Sequence, residues 1–333
     1  MRLCRFRIDG KSLIGLYFDS FIVDLKGLYD LYLKETRETI PSAPNLMDDE
    51  RLASPLSLLN FLPPKDEGYC LAKALEAFYV KNIDRLRKKP ITLNAEEVEL
   101  LAPIRSPPKF FLLAGNYAEH IEESGGKAEE KEHTFPYFFM KPPSTTITDP
   151  EKPIRLPAIS PNKIDWEVEL AVIIGRKVKS IKASEALGAI AGYTIVNDIS
   201  DREFRLNPAR RKRPNDSFFD WLHGKWHDGF APMGPCIASP EEIPDPQRLR
   251  ITLRVNGETM QDSNTGRMVF SVSELIEYLS SFVTLEPGDI ISTGTPGGIG
   301  APRGRFLKPG DIVEAEVEGI GILRNPVGWN GSG

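Results

Sequence analysis

The chain opens on alternation. Arg2-Leu3-Cys4-Arg5-Phe6-Arg7 interleaves basic and apolar residues with the period of a strand. Residues 2–23 predict short strands turning at Asp9-Gly10 and Asp19-Ser20. Leu25, Leu28, Tyr29 and Tyr32 then recur at three- and four-residue spacing, the signature of a helix face. Residues 41–69, rich in Pro, Ser and Asp, predict an irregular connection. A second helix is predicted over 70–88 from Leu71, Leu75, Phe78, Tyr79, Ile83 and Leu86. Its basic end, Arg85 to Lys89, suits the negative pole of a helix, and Pro90 stops it. Residues 90–108 predict a linker, giving a small N-terminal domain over 1–104 and a main domain over 105–333.

In the second part strand patterns dominate. Pro153 to Pro161 holds turn and edge residues, and Ile164–Ile174 predicts one long strand. Ser184–Ile190 predicts a short helix, Gly192–Asp198 another strand, and residues 203–224 a long surface loop. Leu249–Met260 predicts a hairpin turning at Asn256-Gly257, where a type I′ turn needs two residues tolerant of positive φ. Ser271 and Glu274 form a capping box ahead of Leu275, Tyr278, Leu279, Phe282 and Val283. Pro287-Gly288-Asp289 ends that helix and opens a strand at Ile290–Ser292, and a last pair of strands falls over 312–325. Many short strands with few helices predict a β-rich α+β roll or sandwich rather than a doubly wound sheet. The stretch Gly294 to Gly300 follows a strand but opens no helix, so it matches neither a P-loop nor a dinucleotide fingerprint.

Composition narrows the function. The 333 residues are 41% hydrophobic and 27% charged with a net charge of −5, which argues against a dedicated nucleic-acid binder. No run of about 18 apolar residues predicts a membrane span. The first residues lack the continuous apolar stretch of a secretory signal. Cys4, Cys70 and Cys236 make neither a disulfide framework nor a metal motif; they read as buried reduced thiols of a cytoplasmic protein.

The chemistry concentrates in a few segments. Along 164–174, Ile164, Trp166, Val168, Leu170, Val172 and Ile174 share one parity and face a core, while Asp165, Glu167 and Glu169 share the other. Carboxylates about 7 Å apart on one strand repel unless solvated or bridged by a cation. On this strand alone a solvated face is the simpler reading. Asp198, closing the strand from Gly192, adds a third carboxylate and turns the balance toward Mg²⁺ or Mn²⁺. Zinc is disfavoured because no His or Cys stands at ligand spacing.

His120 and Glu123, three apart, share a face of a helical turn: either a surface ion pair or a base whose tautomer a carboxylate sets. The glycine- and charge-rich residues from Gly125 to Lys131 look like part of a mobile cover. Lys225, among aromatics and glycines, is either a snorkelling surface lysine or a buried electrophile. Arg202, four after Asp198, either binds a carboxylate or pairs with an acidic neighbour, and Lys141 carries the same ambiguity. His133, His223 and His227 read as loop histidines, with His227 near Lys225 in sequence.

Taken in order, these segments resemble the fumarylacetoacetate hydrolase superfamily over about residues 105–328. The matching runs are Gly115-Asn116-Tyr117 with His120 and Glu123; Phe139-Met140-Lys141-Pro142; Glu167 to Ala171; Gly192-Tyr193 through Asn197-Asp198; Lys225 with Asp228 and Phe230; Val255-Asn256-Gly257; Thr293 to Pro296; Leu307 to Asp311; and Gly319-Ile320-Gly321. The resemblance implies a mixed β-sandwich roll, a divalent metal and a homodimer. It implies Glu167, Glu169 and Asp198 as metal ligands. It implies His120 and Glu123 as the water-activating dyad of the acylpyruvate-hydrolase-like branch, with Lys225 polarising the substrate. Tyr117, Lys141, Arg202 and Thr295 match positions near the substrate. Arg205 stands where some relatives carry a substrate-contacting Gln, and the loop carries Arg210-Arg211-Lys212-Arg213, so the substrate has room for a further anionic group. The activity implied is metal-dependent hydrolysis of a C–C bond in a 2,4-dioxo acid. Decarboxylation of oxaloacetate, isomerisation of an unsaturated 2-oxo diacid and dehydration of a sugar acid are alternatives on the same centre.

Overall fold

The computed structural model describes residues 1–37, 47, 52, 54, 56–64, 66–123, 125–127 and 131–329. Among these, a twelve-stranded mixed sheet dominates. Its central strands, Val168–Ile174 and Ile190–Asn197, pair antiparallel. Ile290–Ser292 and Phe110–Ala114 extend it on one side, Ala231–Ala238 on the other. The N-terminal strand Arg2–Ile8 pairs with Ala231–Ala238, so the first residues continue the same sheet across residue 104. A five-stranded sheet, built on Arg250–Val255, Ile312–Val317 and Gly321–Trp329, covers one face.

Val168–Ile174 is buried along its whole length. Val168, Leu170, Val172 and Ile174 pack with Ile251, Leu253, Val313 and Leu323 of the smaller sheet. Ala171 and Ile173 face the opposite core, which holds Leu28 and Leu75 of the helices Leu25–Thr36 and Asp66–Lys81. Both faces of this strand are therefore core, and the solvated polar face open to it in the sequence does not exist. The β-rich α+β sandwich is observed.

Local signals carry over where the physics is local. Asn256 and Gly257 have φ of 53° and 79°, as the type I′ hairpin turn requires. The capping box of Ser271 and Glu274 starts the helix Val272–Phe282, which ends before Pro287.

Tertiary pairing corrects several expectations. The linker over 90–108 instead contributes Thr92–Asn94 and Glu99–Leu101, which pair with Phe21–Asp24 and Arg2–Ile8. The second helix starts at Asp66 and stops at Lys81, with a separate turn at Ile83–Leu86. Part of the 41–69 connection lies outside the described residues; Ser57–Phe61 forms a 3₁₀ turn. The long strand over 164–174 is broken: Ile164–Asp165 pairs with Ser200–Asp201, and Trp166 and Glu167 separate it from Val168–Ile174. The 203–224 loop ends in a helix, Asp216–His223, whose start is tied by Arg210 and Arg213 to Asp216. Cys4 and Cys236 are buried free thiols, whereas Cys70 is exposed.

Candidate metal centre and catalytic dyad

The site forms where two central strands end together. Val168 lies opposite Asn197, which puts Glu167 and Glu169 beside Asp198. The join is fixed by backbone: Asp198 N–H donates to Glu167 O at 2.8 Å, and Asn197 Oδ1 accepts from Glu167 N–H at 3.0 Å. One oxygen from each of Glu167, Glu169 and Asp198 lies within 4.8 Å of the others, and all three side chains are buried.

Asp165 departs from this group. The break at Trp166 turns its carboxylate to the N–H groups of Gly300 (2.7 Å) and Ala301 (3.0 Å) and to Arg202 Nε (3.0 Å). Arg202 also reaches Glu167 at 2.5 Å. Arg202, expected near the substrate, is thus engaged with two buried carboxylates.

Lys225 Nζ lies 2.9 Å from Glu167, 2.5 Å from Asp198 and 2.9 Å from Ser200 Oγ, under the rings of Phe139 and Trp221. Burial alone would lower its pKa; Asp198 and Glu167 reverse that and hold the ammonium above its ordinary value. Burial would likewise raise Glu167, but Lys225 and Arg202, with a smaller contribution from His120, keep it below the usual carboxylate range. Glu169 behaves oppositely. Burial, then Asp198 and Glu167, push it well above that range, although Ser292 Oγ and Gly294 N–H (3.1 Å) donate to it.

This electrostatic imbalance tests the fit of a metal. Asp165, Glu167, Glu169 and Asp198 are four buried carboxylates facing three cations, Lys141, Arg202 and Lys225. Three converging oxygen donors and an uncompensated negative charge fit a hard divalent cation.

Lys141, expected near the substrate, is engaged with buried partners. It is fully buried, donates to Ile199 O (2.9 Å) and Phe230 O (2.6 Å), and pairs with Asp198. Burial pushes it down to about 8 despite Asp198. Thr295 is also spent internally: its hydroxyl donates to Val168 O (2.9 Å) and accepts from Gln261 Nε2 (2.8 Å). Arg205 is exposed and makes no ion pair among the described residues. Tyr117 is buried, with a hydroxyl that finds no hydrogen-bond partner among them. Burial and then Glu169 raise its pKa.

His120 and Glu123 come together on the short helix Ala118–Glu123, with Nδ1 3.2 Å from the carboxylate. The other Glu123 oxygen accepts from Gly298 N–H at 2.8 Å. Burial opposes ionisation of Glu123, but the His120 and Gly298 hydrogen bonds outweigh it and hold the carboxyl below its ordinary value. Of the Gly125–Lys131 cover, residues 128–130 lie outside the described residues. The remaining histidines stand apart: His227 pairs with Asp201 at 3.2 Å, His223 ends the helix Asp216–His223, and His133 lies in a short 3₁₀ turn.

Several supporting residues gave no sequence signal. Gln261 accepts from Val168 N–H (3.1 Å) while donating to Thr295 and Pro296, so it ties the small sheet to the site. Asn116 anchors the entry to the dyad helix through Phe270 N–H and Thr293 O. Gly294, at φ 89°, could carry no Cβ without meeting Asn116 Cβ at 2.9 Å. Asn116 and Gly294 fall within runs named above, but nothing in their spacing revealed the latch.

The model of the fumarylacetoacetate (FAA) hydrolase C-terminal domain matches residues 109–328. The chain belongs to this family. It is similar to oxaloacetate tautomerase FAHD2A, mitochondrial, of Bos taurus, at 42% identity over 237 residues, 71% of each chain. A solved structure of 5-carboxymethyl-2-hydroxymuconate delta-isomerase from Mycobacterium smegmatis is 29% identical with a TM-score of 0.65, covering 100% of both chains. At 23% identity, maleylpyruvate hydrolase from Sphingobium sp. SYK-6, solved with manganese(II) and pyruvate, shares the fold, with a TM-score of 0.67 over 99% of this chain and 100% of the other. Enzymes of this family bind a divalent metal, and this chain is an enzyme of the family. No helix among the described residues is long and apolar enough to cross a membrane.

Proposed function

We propose that this enzyme moves a proton at the carbon beside the 2-oxo group of a short 2-oxo acid, interconverting keto and enol forms of an oxaloacetate-like substrate. The observation that carries this reading is the His120–Glu123 contact of 3.2 Å, anchored at Gly298, beside a three-carboxylate cluster. The 42% identity to a protein named oxaloacetate tautomerase supports it.

Mg²⁺ or Mn²⁺, held by Glu167, Glu169 and Asp198, would supply Lewis acidity toward the substrate's oxygens. Glu123 accepts the Nδ1 proton of His120, which leaves Nε2 as the basic nitrogen. Nε2 takes the proton from C3 of the keto form and the 2-oxygen of the resulting enolate takes one up from water; in the reverse direction the enol hydroxyl gives its proton to water and Nε2–H delivers one to C3. Lys225, kept protonated by Asp198 and Glu167, contributes positive charge beside the carboxylates, where negative oxygen develops. A homodimer in a reducing compartment completes the reading. The sequence points to the cytoplasm; the bovine relative is named for the mitochondrion.

The same dyad also fits a second reading, activation of water to cleave an acylpyruvate. The distinguishing experiment follows enol decay of oxaloacetate and release of pyruvate from oxaloacetate and acetylpyruvate. It uses the full chain with Mg²⁺, Mn²⁺ or chelator, as wild type and His120→Ala. Metal-dependent keto–enol equilibration without pyruvate, lost in His120→Ala, is the expected result. Pyruvate from acetylpyruvate that depends on His120 would replace tautomerisation by hydrolysis. Pyruvate from oxaloacetate indifferent to His120 would replace it by decarboxylation, which needs no base at C3.

A further inference from the structure

Four consecutive backbone N–H groups end on two carboxylates from different parts of the site. Gly298 and Ile299 donate to Glu123 at 2.8 and 3.4 Å. Gly300 and Ala301 donate to Asp165 at 2.7 and 3.0 Å. A single peptide bond, Ile299–Gly300, separates the two sets. Beyond Glu123 stands His120; beyond Asp165 stands Arg202, which reaches Glu167. The result is a path of hydrogen bonds to charged groups, joined through the Ile299–Gly300 peptide, from the dyad to the carboxylate cluster.

The segment between them has no room to drift. Gly298 has φ 104°, and a Cβ there would lie 2.2 Å from Met260 O. A Cβ on Gly300 would lie 2.0 Å from Arg305 O and 2.7 Å from Asp165 itself. Trp166 Nε1 donates to Gly298 O at 3.2 Å, holding the segment from the Asp165 side.

We infer that Asp165 is a positioning residue: by fixing Gly298–Ala301 it sets where Glu123 holds His120 relative to Glu167. Asp165 faces backbone and Arg202, so it acts through these and touches no substrate. The consequence for turnover rests on His120 being the base; the mechanical link does not.

The test uses the full chain loaded with Mg²⁺ and compares wild type, Asp165→Asn and Glu123→Gln by amide and imidazole NMR and by kinetics. In Asp165→Asn the amide signals of Gly298 and Ile299 and the ring signals of His120 move, although none of these groups touches residue 165. In Glu123→Gln the amides of Gly300 and Ala301 and the Arg202 Nε–H move in return. Glu123→Gln reads the same path from the other end and stands alone if Asp165→Asn does not fold. With oxaloacetate enol as substrate, Asp165→Asn lowers kcat by about 10- to 100-fold with KM within about two-fold, since small misplacements of a base cost that much. The double variant is then no slower than the slower single one. Signal changes confined to Gly300, Ala301 and Trp166 in Asp165→Asn, with no reply from them in Glu123→Gln, would overturn the inference. If the wild type proves silent on oxaloacetate, the spectra still decide it, and only the reading of the reaction fails.

Discussion

Glu123 holds the Nδ1 side of the His120 ring at 3.2 Å. A carboxylate in that place fixes the tautomer and steadies the imidazolium formed when Nε2 takes a proton. Glu123→Gln keeps an acceptor for Gly298 but loses the charge. It is expected to lower kcat about 10- to 100-fold, against about 10²- to 10⁴-fold for His120→Ala, the usual span of general acid–base catalysis. Rates of enol decay, with thermal melts of both variants, check this. A Glu123→Gln enzyme at wild-type rate would remove the carboxylate from the reaction.

Metal binding has a readout that needs no substrate. Glu169 is pushed well above the usual carboxylate range by burial and by its two neighbouring carboxylates. A cation that binds only the folded chain relieves this repulsion and raises stability by about 2.7 kcal/mol at 100 times its dissociation constant. Tm is therefore expected to climb with Mg²⁺ or Mn²⁺ concentration in the wild type and to stay flat in Glu169→Gln. Equal shifts in both proteins would place the bound ion elsewhere.

The residues of the centre were legible from their types and order, because Glu167, Glu169 and Asp198 need only two neighbouring strands to meet. What each side chain does was less legible. One break at Trp166 sends Asp165 away from the cluster it would have joined in an unbroken strand. Lys141, Arg202 and Thr295 lie at the site, but buried partners far along the chain consume their polar atoms. Gln261 sits in a hairpin strand with nothing local to mark it, and its role exists only once two sheets face each other. The same holds for residues 90–108: three-residue strands have too little periodicity to register, and their pairing partners lie in the first 24 residues.

Arg205 tests the structure against the family resemblance. It is exposed and unpaired among the described residues, three positions beyond an Arg202 that is locked in place. Arg205→Ala is expected to leave kcat and KM for oxaloacetate within about two-fold of wild type, as exposed substitutions away from a site do little. A KM rise of ten-fold or more would bring Arg205 to the substrate.

Lys141 is expected to matter for folding first. Its ammonium satisfies two buried carbonyls and the Asp198 carboxylate at once. Lys141→Met keeps the stem but leaves a buried charge without that partner, a change that costs about 3–5 kcal/mol. Urea unfolding midpoints, taken in chelator, measure it. A loss below about 1 kcal/mol would show that Lys225 alone suffices to balance Asp198.

The cap of helix Val272–Phe282 yields a prediction with a pH sign. Ser271 N–H donates to Glu274 at 2.8 Å, Glu274 N–H donates to Ser271 Oγ at 3.4 Å, and Lys131 pairs with the same carboxylate. Burial would raise Glu274, but Lys131 and Ser271 outweigh it, so its folded pKa lies below the ordinary value. A carboxyl depressed on folding adds stability above its unfolded pKa and loses it as pH falls through the folded one. Ser271→Ala is expected to cost about 1 kcal/mol at pH 7. The cost of Glu274→Gln is expected to be largest at neutral pH and to fade as the solution is acidified below about pH 4, near the unperturbed glutamate value. Denaturant melts of the two variants across that range separate hydroxyl from charge. A Glu274→Gln penalty that grew on acidification would mean that the folded state raises this pKa, and the Lys131 contact would then contribute nothing to the cap.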